Sequence, residues 1–199
     1  MTTIRHPAPL HSIESLIDRA IRGDTAATGS LLKQLAPSMI RAARSLLGST
    51  HADVDDVVQQ SLIGLVQALP AFRGECSIQH FSSRIVARTA LAFRRRAAIR
   101  SDRTDAEVEP DSFGVEPSQD ATVEAERRRV VVRQLISKLP EEQAETLALR
   151  VVLGFSLEEV AEATGVPLNT VRSRVRLAKT ALKRRIEADP VLAASLEVE

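Results

Sequence analysis

The stretch SLEEVAEATGVPLNTVRSRVRLAKTALKRR, residues 156–185, decides how the chain is read. Ser156, with Glu159 three residues later, is a capping-box signature, so a helix begins there. Leu157, Val160 and Ala161 supply its apolar side. Gly165 stands where a tight turn needs a residue that tolerates positive φ, and Pro167 suits the first turn of a second helix. That second helix keeps Val171, Val175, Ala178 and Leu182 on one apolar stripe. At about 100° per residue, Asn169, Ser173, Arg176 and Thr180 fall opposite the stripe, with Arg172 and Lys183 beside them and Arg174 near the other border. No acidic residue occurs between Pro167 and Arg185. A surface helix ordinarily mixes its charges. A face of one sign behind a short turn is the pattern of a helix-turn-helix whose second helix enters the major groove, with arginines and lysines meeting phosphates and base edges. The alternative is a solvated basic helix that covers a core.

The rest of the composition is helical in character. Ala, Leu, Arg, Glu and Gln abound, alternating β-branched runs are absent, and the aromatics are five Phe with no Trp or Tyr. A chain of 199 residues allows one or two small domains. The formal net charge of +1 hides a segregation of acids and bases along the chain, which is the more useful clue to a polyanionic partner. Cys76 is the single cysteine, so neither a disulfide framework nor a cysteine zinc site is available, and His6, His11, His51 and His80 show no ligand spacing. No apolar run of about 20 residues offers a membrane span, and the start MTTIRHPAPLHS lacks a signal-peptide core. The expectation is a cytoplasmic protein without direct membrane insertion. It needs no metal, no cofactor and no small-molecule substrate.

Residues 1–11 read as a disordered lead-in. Residues 12–22 have helical apolar spacing, closed by Gly23, with Asp24 as the next cap. Residues 25–48 form a second helical segment that Pro37 is expected to bend or divide. In HADVDDVVQQSLIGLVQALPAF, residues 51–72, Asp53, Asp55 and Asp56 complement the helix dipole at the start. Val54, Val57, Val58, Leu62, Leu65, Val66 and Leu69 make that helix apolar over more than one face. Such a helix is either buried on several sides or carries surface for a partner. After the loop FRGECS, residues 77–98 form a helix with Ile78, Phe81, Ile85, Thr89 and Ala92 on one face and Arg84, Arg88 and Arg95 on another. Arginines near the carboxyl end complement the dipole, but Arg84 and Arg88 in mid-helix point instead to a nucleic-acid backbone.

At Ser101 the composition changes to SDRTDAEVEPDSFGVEPSQD, rich in acids and Pro, which reads as a flexible acidic linker. It divides the chain into residues 12–100 and 121–187. Beyond it, residues 121–139 predict a helix interrupted by Arg127–Arg129, and Pro140 opens EEQAETLALRVVL with Glu141, Glu142 and Glu145 at its positive end. The fold class is therefore all-α. Two small helical domains are expected, the second a four-helix domain containing the helix-turn-helix, with residues 188–199 as a mildly acidic tail.

DVDDVVQQSLIGLVQALPAFRGECSIQHFSSRIVARTALAFRRR resembles the amino-terminal domain of extracytoplasmic-function (ECF) sigma factors. LPEEQAETLALRVVLGFSLEEVAEATGVPLNTVRSRVRLAKTALKRR resembles their carboxy-terminal domain. The resemblance spans about residues 12–187, and finding both halves in one chain is what makes it specific. It implies a protein that binds core RNA polymerase, at the β′ clamp and the β flap, and directs it to promoter DNA without being a catalyst. It also implies an anti-sigma factor as a restraining partner.

Residue by residue, the family's polymerase-binding helix matches residues 53–69, with Asp56, Gln59, Gln60 and Ile63 as contacts; the family usually has an acid where Gln60 stands. The loop and helix over residues 72–98 match the segment that reads the downstream (minus-ten) element and holds the non-template strand, with Arg73, His80, Arg84, Arg88 and Arg95 as DNA contacts. Strand capture needs stacking surface as well as cations. Many members have a Trp where Phe81 stands, so capture here falls to the 72–77 loop or to His80. Cys76 lies in that loop where Ser is common, and reads as a Ser-like loop residue or, alternatively, a redox-sensitive thiol. The helix after the turn matches the reader of the upstream (minus-thirty-five) element. Arg172, Ser173 and Arg176 are the base-edge candidates there, Arg174, Lys179 and Lys183 the phosphate candidates, and Asn169 and Thr170 further contacts to that element.

Two rival functions are weaker. A stand-alone helix-turn-helix regulator would usually dimerise, and it has no use for a second basic helix in another domain. An enzyme would need a phosphate-binding glycine loop, a nucleophile motif or paired catalytic carboxylates, none of which the sequence carries.

Overall fold

A computed structural model describes residues 12–103, 120–190 and 192–193. The lead-in, the linker from residue 104 to 119 and most of the tail lie outside the described residues. Among the described residues there are eight α-helices and no strand. They are α1 (Ile13–Ile21), α2 (Thr25–Leu47), α3 (Val54–Ala68), α4 (Ile78–Arg103), α5 (Asp120–Ser137), α6 (Glu141–Leu147), α7 (Leu157–Thr164) and α8 (Leu168–Ala188). A 3-10 turn, Leu69–Ala71, follows α3, and a π-helical turn, Ala148–Val152, follows α6.

The first unit is built around α2. Leu31, Leu35, Met39, Ala42, Ala43, Leu46 and Leu47 are buried along it, and α1, α3 and α4 pack against that stripe. Asp24 fixes the corner between α1 and α2. Its carboxylate accepts from the Ala27 amide at 3.0 Å and from Arg19 Nε at 2.8 Å, and these two bonds hold it below the ordinary carboxylate range. Pro37 does not divide the segment as expected: α2 runs through it as one helix. A proline inside a helix costs about 3 kcal/mol. Burial of Leu35 and Met39, which flank it, offsets that cost.

In the second unit, α6 and α7 pack on α8 around Ala144, Leu147, Val160, Val171 and Ala178. The Arg127–Arg129 run does not interrupt α5, which continues through it to Ser137. Glu126 ties the run into the helix, pairing with Arg129 at 3.3 Å and with Arg133 at 2.8 Å. The segment read as one helix, EEQAETLALRVVL, is α6 plus the π turn, closed where Gly154 takes φ 78°. Likewise α4 is longer than expected, so residues 101–103 are helical rather than linker.

The two units are packed together. Ile136, Leu139, Ala148 and Leu149 of the second unit join Leu46, Ala90 and Leu91 of the first in one apolar cluster. Two arginines from opposite sides of this seam close the carboxyl end of α2, whose last carbonyls have no helical partner. Arg133 Nε donates to the Ser45 carbonyl at 2.8 Å, and Arg94 Nη1 to that of Leu46 at 3.4 Å. Burial, with Arg133 nearby, lowers the Arg94 pKa to about 10.

Met39, wholly buried under the α1–α4 cluster, is the sharpest test of this core. Met39→Ala should lower unfolding free energy by about 2–5 kcal/mol in urea titrations followed by circular dichroism. Lys33→Ala on the exposed side of the same helix should change it by less than about 0.5 kcal/mol.

Candidate functional site

The helix-turn-helix forms as its residues dictate. The Ser156 hydroxyl accepts from the Glu159 amide at 3.0 Å and the Glu159 carboxylate accepts from the Ser156 amide at 2.7 Å, completing the capping box. Gly165 adopts the left-handed conformation, φ 67° and ψ 27°, and its amide donates to the Ala161 carbonyl at 2.8 Å. Pro167 caps α8 rather than occupying its first turn. Val171 and Ala178 are buried, with Val175, Ala181 and Leu182 packed beside them.

Asn169, Arg172, Arg176, Lys179 and Lys183 are exposed on the other side of α8, and Thr170 and Ser173 are half-buried at its edges. Arg172 leans on Asn169 Oδ1 at 3.4 Å, and Lys183 lies 3.6 Å from Glu187. Among the described residues Arg176 and Lys179 carry no ion pair, so the centre of this face is open charge. Arg174 is different. Its guanidinium turns toward α6, bonds Glu142 at 2.6 Å and is only 16% exposed.

The arginine row of α4 faces the second unit. Arg84 Nε bonds Glu145 Oε1 at 2.8 Å, and its Nη1 donates to the Ala163 carbonyl at 3.2 Å. Arg88 and Arg95 lie 3.6 and 3.5 Å from the Glu141 carboxylate, and Arg95 also donates to the Leu139 carbonyl at 3.5 Å. A cleft of about 240 Å³ runs between them, lined by Arg88, Leu91, Arg95, Arg96, Glu141 and Glu145. The mid-helix arginines thus have structural partners that their own segment does not reveal. In the sequence, Glu141, Glu142 and Glu145 are legible only as dipole-complementing acids. The one further signal is that Glu145 recurs one helical turn after Glu141.

His80 sits at the same seam. Its ring lies 4.4 Å from that of Phe155 and Nε2 is 3.7 Å from Glu159, while the buried Nδ1 has no partner among the described residues. Phe81 packs on Phe72 at 4.9 Å against the core, as the helical wheel places it, and is not presented as a stacking platform. Arg73 in the preceding loop is 82% exposed, 3.9 Å from Glu75. Burial first, and then the Glu162 charge, push the Cys76 thiol up, opposite to the shift that makes a reactive thiolate. This favours the Ser-like reading of Cys76.

A third surface lies on α3. Val54, Val57, Val58 and Leu65 are buried, which answers most of its apolar excess, but Ile63 and Val66 are exposed. Asp56, Gln59, Gln60 and Ile63 form one exposed strip with Val66 and Gln67. Among the described residues no cluster of His, Cys, Asp or Glu could hold a metal ion, and no helix is long and apolar enough to cross a membrane.

Comparison with known proteins agrees with this geometry. Residues 31–99 match the family model for sigma-70 region 2, and residues 129–182 match that for sigma-70 region 4. The chain is 30% identical over 170 residues to the ECF RNA polymerase sigma factor ShbA of Streptomyces griseus, covering 80% of this chain and 87% of that protein. It is 28% identical over 180 residues to the ECF RNA polymerase sigma-E factor of Escherichia coli K12, covering 86% and 93%. A solved structure of CnrH in complex with the cytosolic domain of CnrY aligns with a TM-score of 0.50 at 25% identity, over 87% of this chain and 96% of that one. The chain therefore belongs to the ECF RNA polymerase sigma factors of the sigma-70 family. It is a transcription initiation factor, and not itself an enzyme.

The capping box makes a pH prediction. The Ser156 amide, with its hydroxyl and the neighbouring His80, holds Glu159 below its ordinary value of 4.5. A carboxylate whose pKa is lower folded than unfolded adds stability that is complete above the unfolded value and is lost as pH falls through the folded one. Between about pH 5 and pH 3, Glu159→Gln should therefore lose less stability in urea melts than the parent chain. Equal slopes would show that folding does not lower the Glu159 pKa.

Proposed function

We propose that this sigma factor docks on core RNA polymerase through the exposed strip of α3, reads the upstream promoter element with α8 and opens the downstream element with α4 and the loop before it. One observation carries the reading. A single chain holds an open basic recognition face, a second arginine row on another unit, and an exposed strip of apolar and polar side chains on a third helix. A stand-alone regulator needs only the first of these.

On this reading Asp56, Gln59, Gln60 and Ile63 meet the β′ clamp, and the second unit meets the β flap. Arg172, Ser173 and Arg176 read base edges, assisted by Asn169 and Thr170 at the amino-terminal end of α8, where a helix enters the groove. Lys179 and Lys183 neutralise phosphates. Arg174 joins them only by exchanging Glu142 for a phosphate. Arg73, His80, Arg84, Arg88 and Arg95 hold the melted strand. Protein partners are also expected in restraint: the solved relative CnrH is a complex with the cytosolic domain of CnrY, which supports an anti-sigma partner for this chain. Its place of action is then the cytoplasm, where polymerase and promoter are.

A transcription assay with core polymerase, this chain and a genomic promoter library tests the whole reading. Promoter-dependent transcripts support it; their absence together with no binding to core would sink it. Ile63→Asp places a charge on the exposed strip without touching the core, and should weaken binding to core by about tenfold or more.

The two DNA faces should separate by step. Arg176→Ala should alter upstream-element preference, a bidentate arginine–guanine contact being worth about 1–3 kcal/mol of discrimination. Arg88→Ala should slow duplex opening, read with a fluorescent base in the downstream element, more than it weakens recruitment. Equal loss of both steps in both variants would contradict the division.

A further inference from the structure

We infer that Arg174 is a positioning residue and not a phosphate contact: held by Glu142 of α6, it fixes how α8 is turned in the groove, and so sharpens which bases the exposed side chains read. The inference rests on the reading of α8 as the upstream-element helix. Arg174 stands three residues after Val171 and four before Ala178, both wholly buried, so the three share one flank of α8. Arg176, five residues after Val171, is turned about 140° away from it, onto the exposed side. A guanidinium on the buried flank meets α6. That of Arg174 bonds Glu142 Oε2 at 2.6 Å and is mostly shielded from water, whereas Arg172, Arg176, Lys179 and Lys183 are exposed.

The other end of the pair is anchored as well. Glu142 lies in the first turn of α6, where its charge agrees with the helix dipole, and its carbonyl accepts from the buried Thr146 hydroxyl at 2.7 Å. Between α6 and α8 the packing is made by Ala144, Leu147, Val171 and Ala178. Apolar packing is non-directional, so it holds two helices together without fixing their rotation. A charge-assisted bond to a planar guanidinium is directional and supplies that constraint. Arg174 follows Ser173 directly and is two residues from both Arg172 and Arg176, so a turn of its backbone carries the base-edge side chains with it. Binding groups of this kind must be held to within about 0.5 Å, which makes a lock on the rotation of α8 a determinant of base choice.

The first test titrates the full chain, without polymerase, with a fluorescein-labelled DNA duplex of mixed sequence, read by anisotropy across a salt series. Each phosphate contact adds about 0.9 to the slope of log affinity against log salt. Lys179→Ala, the phosphate control, should lower the slope by about that amount. Arg174→Ala removes the same charge and should leave the slope within about 0.3 of the parent. A loss of about 0.9 for Arg174→Ala overturns the inference, as does a steeper slope for Glu142→Gln, which would show the freed guanidinium taking up a phosphate. The second test uses holoenzyme assembled from core polymerase and the full chain. It compares affinity for an upstream element recovered from the genomic library with affinity for the same element carrying one exchanged base pair. Arg174→Ala and Glu142→Gln should each narrow that ratio about fivefold or more, while Lys179→Ala weakens both duplexes alike. Glu142→Arg with Arg174→Glu re-forms the pair and should restore the ratio to within about twofold of the parent. Urea melts confirm folding, and a loss of stability alone lowers both affinities together and leaves the ratio unchanged. An unchanged ratio in the folded single variants, or a swap no better than they are, refutes the lock. Failure of the parent chain to bind duplex overturns the DNA reading of α8 and the inference with it. Failure to assemble holoenzyme overturns the reading of α3, and the slopes of the free chain then judge Arg174 by themselves.

Discussion

A charge taken out of water must find a partner, and the seam between the two units is where this chain meets that constraint. Arg84, Arg94, Arg133 and Glu145 are all wholly or largely buried there. Removing one partner of a buried pair typically costs about 3–5 kcal/mol, because the other charge stays behind unsatisfied. Two of these contacts bind the units to each other, Arg84 to Glu145 and Arg133 to the Ser45 carbonyl, while Arg94 finds its partner in the Leu46 carbonyl of its own unit. The apolar cluster supplies the attraction, while the charges fix the one relative placement in which none is left alone.

The same constraint sets what opening requires. Each seam charge can leave only for water or for a substitute of the right sign. The α4 arginines can exchange a carboxylate for a phosphate. Glu145, once uncovered, gains solvent. The helix-turn-helix is less encumbered. Asn169, Arg172, Arg176, Lys179 and Lys183 are exposed on its outer side, and Arg174 is the α8 side chain bound to α6, through Glu142.

The helix-turn-helix is readable from sequence because its determinants are local. A cap, a left-handed glycine and a one-sided stripe each act within a few residues, and all form as expected. The two predicted breaks fail for the opposite reason. Pro37 and the Arg127–Arg129 run look unfavourable locally, but burial around Met39 and the Glu126 pairs override them. The seam is illegible altogether, since Arg84 and Glu145 are 61 residues apart and nothing in either segment announces the other. The arginine row reads as a DNA face because sequence shows which charges share a face and not what lies opposite. The α3 helix is half legible: its excess of apolar residues is visible, but which of them the core takes is not.

The π-helical turn at Ala148–Val152 bears on how chains of this kind can diverge. A π turn contains one residue more than an α-helical path would need, and it sets the rotational phase between the helical segments on its two sides. Here it joins the glutamate-bearing α6 to α7 and α8. Losing a single residue from it would turn one side relative to the other by about 100°. Loss of Val151, the exposed valine of this turn, would leave every capping residue and charge in place. It would nonetheless change the rotational register between α6 and the segments that follow it, α7 and α8, by a single indel.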